Sequence, residues 1–497
     1  MDFNVSRRAV LGTGVGLGAG LVTGTGTAAA ATRGAVAIVG CTVIDATGAP
    51  PRHDMTVLAR GDRIAALGPA RSVRIPGDAA VVDGRRRFVI PGLTDAHVHS
   101  SGIDTVDPPL YLVNGVTTVR EMSGYPTLHE WRRRVAEGTL LGPRSVIASP
   151  LIDGSPSLWT GLGAPYVEVA DAAQARAAVR QVAADGADFV KVYSRLSAES
   201  FTAIAQEAHR LGLEFAGHCP DAVLVTAASD LGQRSFEHVF TTWYATSGHE
   251  DEIRRALSRL VVEAGDYNGW LHRVHPLEVT AARTFDPLRA ARVFRRLRGN
   301  DSHQTPTLVM HRVLDLPGTV DADDPRLRYI PAEVRAGWDF AMQEIYLDGR
   351  TPQEAAEHEE LFGHRVRFVG ALHRAGVPVL AGTDTGTSYV YPGFSLHDEL
   401  ELLVRAGLPP MRALQAATRD PARFLGLGSG TVRQGAAADL VVLDADPLAD
   451  IRNTRRIHAV VVRGELITPE RRDAMLEAVA AAARTVPPGV AVAGCRC

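Results

Sequence analysis

Lysine is almost absent from this chain of 497 residues, because every basic position except Lys191 holds arginine. Lys191 stands in the apolar, β-type run Asp188–Tyr193, where burial of an unpaired ammonium group costs several kcal/mol. Arginine cannot replace a lysine that must act as a neutral amine, because a guanidinium group stays protonated at any working pH. One chemistry that fits is carboxylation by CO2, which gives a carbamate able to bridge two metal ions. The alternative is a lysine whose ammonium group reaches solvent.

Excess charge of one sign and long apolar runs are also scarce. The formal net charge is -3 and no basic tract alternates with aromatic residues, so we expect no nucleic-acid partner. No segment beyond the N-terminal region is long and apolar enough to span a bilayer, which argues against stable membrane insertion. With 45% hydrophobic residues, the chain can bury one large domain and a smaller one.

The first 31 residues resemble a bacterial twin-arginine export signal. Arg7 and Arg8 precede a weakly apolar, glycine-rich run and then Ala28–Ala31, a small-residue cleavage site. We therefore predict an exported protein, periplasmic or extracellular. A membrane anchor fits less well, because so many glycines make a poor membrane helix. An oxidising compartment would allow three full pairings among the four cysteines, which are Cys41, Cys219, Cys495 and Cys497.

Short strands and turns occupy both ends of the mature chain, and strands alternate with helical stretches between them. The alternation predicts an α/β fold built on a (β/α)8 TIM barrel, and the two flanking β segments can form one small β-sandwich domain. We divide the chain into a signal peptide (1–31), the N-terminal segment of the β-sandwich (32–88), the barrel (89–428) with an insertion at about 244–300, the C-terminal segment of the β-sandwich (429–470), and a C-terminal helix and tail (471–497).

Eight apolar segments are predicted as the barrel strands. They are Phe88–His99, Val116–Met122, Ser145–Ile152, Asp188–Tyr193, Glu214–Cys219, Ser235–Phe240, Thr305–Met310 and Val377–Asp384. The helical patterns include Ala172–Ala184, Ala198–Leu211 and His364–Ala375. In such a barrel the functional residues lie at the carboxyl ends of the strands.

Imidazole and carboxylate side chains gather at those ends. His97 and His99 are two residues apart, so both project from one face of the first strand. Later strands end on Lys191 (fourth), His218 (fifth), His238 (sixth) and Asp384 (eighth). One such histidine alone would be an ordinary core residue, but together they predict a metal site at the barrel mouth. Nitrogen and oxygen ligands without thiolate suit Zn2+ first, with Mn2+, Co2+ or Fe2+ as alternatives.

Nearly the whole mature chain resembles the metal-dependent amidohydrolase superfamily, in its binuclear branch with a bridging carboxylated lysine. The matching runs are Val89–His99, Ala413–Ala422 and Gly435–Val442. Within that superfamily the chain is most similar to the imidazolonepropionase and Xaa-Pro dipeptidase (prolidase-like) members.

The resemblance implies a role for each candidate. His97, His99 and Asp384 would hold one divalent ion, His218 and His238 the other, and carboxylated Lys191 and a hydroxide would bridge the two. Asp384 would take the proton of that hydroxide and pass it to the leaving nitrogen. Tyr193 shares the face of Lys191 and could donate to the substrate, although packing inside the barrel is the alternative. Arg120 and His311 are weaker candidates for substrate contacts.

The sequence thus predicts an exported hydrolase that uses two divalent metal ions, Zn2+ first, on a small molecule with an amide, peptide or cyclic amide bond. Esters and lactones, and a homo-oligomeric state, stay open. A mononuclear deaminase is the nearest rival, but it would have His-x-x-Glu after the fifth strand, where this chain has His218–Asp221, and it would not need Lys191. A non-catalytic binding protein should lack a ligand, and none is missing.

Overall fold

The computed structural model describes residues 34–486. The predicted export signal and the pair Cys495 and Cys497 lie outside the described residues. Cys41 and Cys219 are buried and free, and burial raises the pKa of each thiol to about 12. Within the described stretch of the chain, no helix combines the length and the apolar character that a membrane span requires.

Five strands open the described chain: β1 Ala35–Val43, β2 Arg52–Arg60, β3 Arg63–Pro69, β4 Ala80–Asp83 and β5 Phe88–Pro91. The prediction of one strand over Phe88–His99 is wrong at Gly92, where β5 ends and the first barrel strand begins. A Cβ added at Gly92 would lie 2.2 Å from Thr117 Oγ1, so glycine permits the close approach that redirects the chain from the small sheet into the barrel.

The barrel is a sheet of parallel strands in the order β13-β12-β11-β10-β8-β7-β6, with β9 paired to β8. Its strands are β6 Leu93–Val98, β7 Val116–Glu121, β8 Arg144–Gly154, β9 Tyr166–Val169, β10 Phe189–Val192, β11 Glu214–Gly217, β12 Ser235–Glu237 and β13 His303–Thr305. Parallel pairing buries both faces, and β6, β7 and β10 are buried along their whole length. The predicted barrel fold with a separate small domain is confirmed.

Segment 377–384, predicted as the eighth strand, closes the barrel without a regular ladder. Single bridges join Gln304 to Val379 and Val98 to Thr385. Between them, the Ala96 N–H donates to Ala381 O at 2.9 Å and the Asp384 N–H to His97 O at 2.8 Å. The chain therefore fills the eighth position as an irregular extended segment, which fixes Asp384 beside the first strand.

Sixteen α-helices surround the described barrel and small sheet: α1 Asp107–Val113, α2 Pro126–Glu137, α3 Ala172–Ala184, α4 Ala198–Leu211, α5 Val225–Asp230, α6 Phe240–Ala245, α7 Glu250–Leu257, α8 Tyr267–Arg283, α9 Pro287–Gly299, α10 Leu308–Asp315, α11 Ala332–Phe340, α12 Pro352–Arg374, α13 Phe394–Arg405, α14 Pro410–Ala416, α15 Arg419–Phe424 and α16 Pro469–Thr485. A π-helical turn, Ala341–Tyr346, continues α11. Helices α3 and α4 match their predicted bounds, whereas α12 begins twelve residues before the predicted His364.

The small domain combines strands from both ends of the described chain. Its last strands are β14 Leu440–Leu443, β15 Ile457–Val462 and β16 Glu465–Ile467. The sheet runs β16-β15-β14-β5-β1-β2-β3, with β4 also paired to β1. Val36, Ile38, Val57, Leu440 and Val461 share its apolar core, so residues far apart in sequence stabilise one another there.

Candidate metal centre

Three predicted ligands meet at the mouth of the barrel. His97 lies near the end of β6, His99 directly follows its last residue, and Asp384 lies in the closing segment beside them. His97 Nε2 is 3.0 Å from Asp384 Oδ1, His99 Nε2 is 3.2 Å from the same oxygen, and the two Nε2 atoms are 3.3 Å apart. One ligand atom from each side chain thus lies within 4.8 Å of the others, and all three residues are buried.

Close packing and hydrogen bonds hold Asp384 in a strained backbone conformation. Its φ is 62°, in the left-handed region that costs a residue other than glycine of the order of 1–3 kcal/mol. A Cβ added at Gly382, two residues earlier, would lie 2.8 Å from His97 Cβ, so the segment passes directly over the first strand. Thr387 Oγ1 donates to Asp384 Oδ2 at 3.0 Å, which leaves Oδ1 to face the histidines.

Glu237 sets which nitrogen of His97 carries the proton. Its Oε2 lies 2.7 Å from His97 Nδ1, and its Oε1 accepts from Arg120 Nη2 at 2.8 Å and from Ser235 Oγ at 2.5 Å. Burial raises the pKa of Glu237, but the charge of Arg120 and the hydrogen bond to His97 hold it well below its usual range. A carboxylate only accepts, so His97 Nδ1 carries a proton and donates it, and Nε2 is the ring nitrogen left to bind a metal ion.

The donor set fits a divalent cation. Burial lowers the pKa of His99 to about 4, so the ring is neutral at pH 7. The pKa of Asp384 is raised by burial but held well below its usual range by His97 and His238, so the side chain is an anion. Asp384 Oδ1 is buried and faces Nε2 of His97 at 3.0 Å and Nε2 of His99 at 3.2 Å. A bound cation would attract the lone pairs of the carboxylate oxygen and the imidazole nitrogens, and so would stabilise their close approach.

His238 and His218 continue the cluster away from His99. The ring centroid of His238 lies 4.8 Å from that of His97 and 4.9 Å from that of His218. Their Nδ1 atoms hydrogen-bond to the hydroxyls of Thr307 at 2.7 Å and Ser194 at 2.8 Å, which leaves the Nε2 atoms for other contacts. Burial lowers the pKa of both histidines well below its usual range, so both are neutral.

Lys191 is buried on β10, with 1% of its surface exposed. Burial lowers its pKa to about 8, although the charges of Glu237 and Asp384 raise it. Its backbone N–H donates to Ser149 Oγ at 2.9 Å, which fixes the strand that carries it. The single lysine of the chain therefore lies inside the barrel, within the electrostatic reach of the cluster, and not in solvent.

Tyr193 faces the cluster, as its strand position predicted. Its ring stacks on His218 with centroids 4.1 Å apart, and its hydroxyl is 3.2 Å from that of Tyr267. Burial raises the pKa of Tyr193 well above its usual range, so the hydroxyl keeps its proton.

The weaker candidates behave differently. His311 Nε2 lies 3.0 Å from His238 O and so supports the backbone of a candidate ligand. Arg120 is not available to a substrate, because its guanidinium points inward to Glu237, to Ser235 Oγ at 2.8 Å and to Ala96 O at 2.5 Å. Glu237 is not among the residues predicted from the sequence, although an acidic residue directly before His238 in an apolar run was a readable signal.

Two cavities open from the cluster. The first, here the His99 chamber, measures about 280 Å³ and is lined by His99, Thr385 and Gly386 beside the ligands. The second, the His218 chamber, measures about 80 Å³ and is lined by His218, His238 and Asp384. Tyr346 lines both chambers. A molecule with two halves can therefore place its centre at the ligands and one half in each chamber.

The amino-acid sequence is similar to those of known proteins. The sequence profile of the amidohydrolase family matches residues 88–467. An uncharacterized protein of Mycobacterium tuberculosis is 35% identical over 121 residues, 24% of this chain and 32% of the relative. Ochratoxinase of Aspergillus niger is 36% identical over 93 residues, 18% of each chain. The match thus spans about a third of the first relative and less than a fifth of the second.

Solved structures extend the similarity over most of the chain. Bottromycin amidohydrolase has a TM-score of 0.69 and 25% identity, with 91% of both chains covered. Aspergillus niger ochratoxinase has a TM-score of 0.63 and 18% identity, with 87% of this chain and 95% of that chain covered. A Xaa-Pro dipeptidase with bound methionine also has a TM-score of 0.63 and 18% identity, with 87% of this chain and 100% of that chain covered. At 18% identity, the ochratoxinase and the dipeptidase show the fold alone. Because the family profile spans the barrel together with β5, β14, β15 and β16 of the small sheet, the chain belongs to the amidohydrolase family.

Proposed function

We propose that this protein is an exported, metal-dependent hydrolase that cleaves an amide, peptide or cyclic amide bond in a small molecule. The observation that carries the proposal is the convergence of His97, His99 and Asp384 on one point at the mouth of an amidohydrolase-family barrel. A similar structure named as an amidohydrolase, with 25% sequence identity, supports the class of bond. The length and size of the substrate are then set by the two chambers.

The proposal includes two metal ions, Zn2+ first. One would be held by His97, His99 and Asp384 and the other by His218 and His238, with carboxylated Lys191 as the shared ligand. When bound, such ions supply an activated water at neutral pH and polarise the scissile carbonyl group. Neutral imidazoles and one anionic carboxylate are the donors that this role requires.

Lys191 is suited to carboxylation because its pKa of about 8 leaves a fraction of the amine neutral at physiological pH. Only the neutral amine has the lone pair that attacks CO2, and the nitrogen loses a proton as the carbamate forms. Burial then protects the product from solvent. These properties account for the survival of one lysine in a chain that otherwise uses arginine.

Asp384 and Tyr193 are the proposed catalytic side chains. The Asp384 carboxylate lies beside the ring nitrogens of His97 and His99, which would hold a metal ion, so it could take a proton from water activated there and pass it to the leaving nitrogen. Tyr193 keeps its proton and lines the His218 chamber, so its hydroxyl can donate to the substrate carbonyl oxygen or to a substrate carboxylate.

Metal analysis combined with a hydrolysis panel tests the proposal. Protein reconstituted with Zn2+ and bicarbonate should contain two ions per chain and should release amino acids from dipeptides or N-acyl amino acids. His97→Asn should lose at least one ion and all turnover, whereas His458→Asn, which changes a histidine of the small sheet, should keep both. Well under one ion per chain in the wild-type protein would refute the hydrolase.

Export is tested separately through the N-terminal arginines. Replacement of Arg7 and Arg8 by lysine keeps the charge but removes the twin-arginine pair, so the protein should stay in the cytoplasmic fraction of a bacterial host that exports the wild-type chain. Equal distribution of the two forms between fractions would contradict the proposed route.

A further inference from the structure

The His99 chamber has an apolar wall that belongs to its own hydrophobic cluster. Ile330, Val334 and Trp338 line it, and each has less than a tenth of its surface exposed. They pack with Tyr329 and Tyr391 in a cluster distinct from the barrel core. Val334 and Trp338 stand four residues apart on α11, so one face of this helix forms the wall. A chamber built in this way favours an apolar occupant.

Gly337 leaves a gap in that wall. It lies inside α11 and lines the chamber, and a Cβ added there would meet nothing within 4 Å. Glycine inside a helix costs about 0.5–1 kcal/mol relative to alanine, and the helical backbone here does not require it. The absent side chain therefore has one visible consequence, which is open space at the wall of the chamber. Any larger residue at this position would project into that space.

The charges of the two chambers differ. Among the described residues that line the His99 chamber, Asp107 and Glu333 are acidic and none is arginine. The His218 chamber is lined by Arg350 and Arg365 as well as by acidic residues. In a chain so rich in arginine, this contrast disfavours a negatively charged group in the His99 chamber. A neutral or cationic apolar group meets no such penalty.

We propose that the His99 chamber is a substrate subsite for a large apolar group without negative charge, and that Gly337 sets its size. The substrate class is then an amide of which one half is a bulky hydrophobic amino-acid residue, while the other half fits the smaller His218 chamber. The inference rests on the proposed hydrolase function. The π-helical turn that continues α11 ends at Tyr346, a residue that lines both chambers.

Two dipeptide series test the subsite in both orientations of the bond: X-Gly and Gly-X, with X as Ala, Leu, Phe or Glu. In one series Leu and Phe should exceed Ala in kcat/KM on the order of 30-fold, because a leucine side chain buries three more carbon atoms. Glu should be the poorest member of that series. The difference should lie mainly in KM, since the side chain takes no part in the bond cleavage and binds equally in the ground state and the transition state.

Gly337→Leu is the decisive variant. Its side chain should occupy the subsite and reduce the Leu-to-Ala ratio from on the order of 30 to about 1. Gly299→Leu is the matched control, because that glycine also lies in a helix with nothing within 4 Å of an added Cβ and lines neither chamber. The control should keep the ratio, and the thermal midpoints of both variants should stay close to that of the wild type.

Each outcome has one meaning. Turnover without preference for Leu or Phe in either series would overturn the subsite and leave the hydrolase in place. A folded Gly337→Leu protein that keeps the wild-type ratio would overturn the role of Gly337 in the same way. A preference for Glu would overturn the charge argument and with it the proposed substrate class. No turnover of any amide by the fully metal-loaded wild type would instead reject the hydrolase function.

Discussion

Replacement of Glu237 by glutamine should weaken metal binding and protein stability together, for separable reasons. The carboxylate joins His97 Nδ1 to Arg120 Nη2 inside the barrel, at 2.7 and 2.8 Å. A glutamine side chain has the same size but one carbonyl oxygen and one NH2 group. If its oxygen faces His97, its NH2 group faces the donors of Arg120. If its NH2 group faces His97, Nδ1 must accept, and the proton moves to Nε2, where the metal should bind.

The two costs have different magnitudes. Loss of a carboxylate that orients a metal-bound histidine typically weakens metal affinity about 10- to 100-fold, or about 1.4–2.7 kcal/mol. Arg120, with 1% of its surface exposed, would also lose its charge partner, which costs about 3–5 kcal/mol when a buried pair is broken on one side. We therefore expect the metal-free variant to unfold at a lower urea concentration and the folded variant to bind Zn2+ more weakly.

Competition with a chromogenic chelator measures the affinity, and urea denaturation of the metal-free protein measures the stability. Glu399→Gln is the matched control, because Glu399 is fully buried and burial raises its pKa to about 8. It is therefore protonated at neutral pH, and glutamine should change little. The double variant Arg120→Met, Glu237→Gln should recover some of the stability but none of the metal affinity, because no buried charge is then left without a partner.

A Zn2+ affinity of Glu237→Gln within twofold of the wild-type value would refute this account of His97. Equal losses in Glu237→Gln and in the control would do the same, since a general effect of core polarity would then explain both. Recovery of metal affinity in the double variant would show that Arg120, and not the proton on Nδ1, controls the site.

Three further results are expected. Lys191→Arg should bind at most one ion per chain and lose turnover, because guanidinium cannot be carboxylated; two ions by mass spectrometric metal analysis would contradict this. Burial lowers the pKa of Lys191 to about 8, so the neutral fraction of its amine rises about 50-fold from pH 6 to pH 8. At fixed dissolved CO2, the rate at which Zn2+ reactivates the metal-free protein should therefore rise about 50-fold over the same range. A rate that does not change with pH would exclude carboxylation of Lys191. Arg365→Met should lower the free energy of unfolding by about 3–5 kcal/mol, because Asp315 and Glu278 lose their buried partner. Arg296→Met, which breaks the exposed pair with Asp230, should lower it by less than about 1 kcal/mol. Urea titrations measure both values.

The barrel was predictable because its strands are buried on both faces and therefore read as continuous apolar runs. Of the predicted seventh strand, only the first residue lies in a strand of the structure. Thr305–Met310 was predicted as a strand, but β13 ends at Thr305 and α10 begins at Leu308. Thr307 lies between them with a φ of 46°, a reversal that no apolar pattern signals. Short apolar runs of this kind fit a buried strand and a buried helix equally well.

The start of α12 was predictable and was missed. Thr351 caps the helix by accepting from the Glu354 N–H at 3.2 Å, and Glu354 accepts in return from the Thr351 N–H at 2.7 Å. Thr followed three residues later by Glu, with Pro352 between, is the sequence signature of such a start. Apolar periodicity alone placed the start at His364, because the exposed first turns of this helix carry few apolar residues.

The candidate ligands could be chosen from their positions at strand ends, but their relations could not. The bond from Glu237 to His97 joins residues 140 positions apart, and it depends on the register of β12 relative to β6 across the barrel. Arg120 looked equally suited to a substrate carboxylate, and only the inward direction of its side chain shows that it serves a carboxylate of the chain itself. The sequence indicates which strand carries a side chain, whereas only the three-dimensional structure shows which side chains meet across the barrel.

The sheet that joins both ends of the described chain also dictates when the protein can finish folding. β5 hydrogen-bonds to β14, and Arg87 reaches Asp444 across a separation of 357 residues. During synthesis the early strands must therefore wait until nearly every later residue has left the ribosome. Completion of the small sheet is thus a late event, and a chain halted before residue 440 would present β5 with an unsatisfied edge for chaperones or proteases to find.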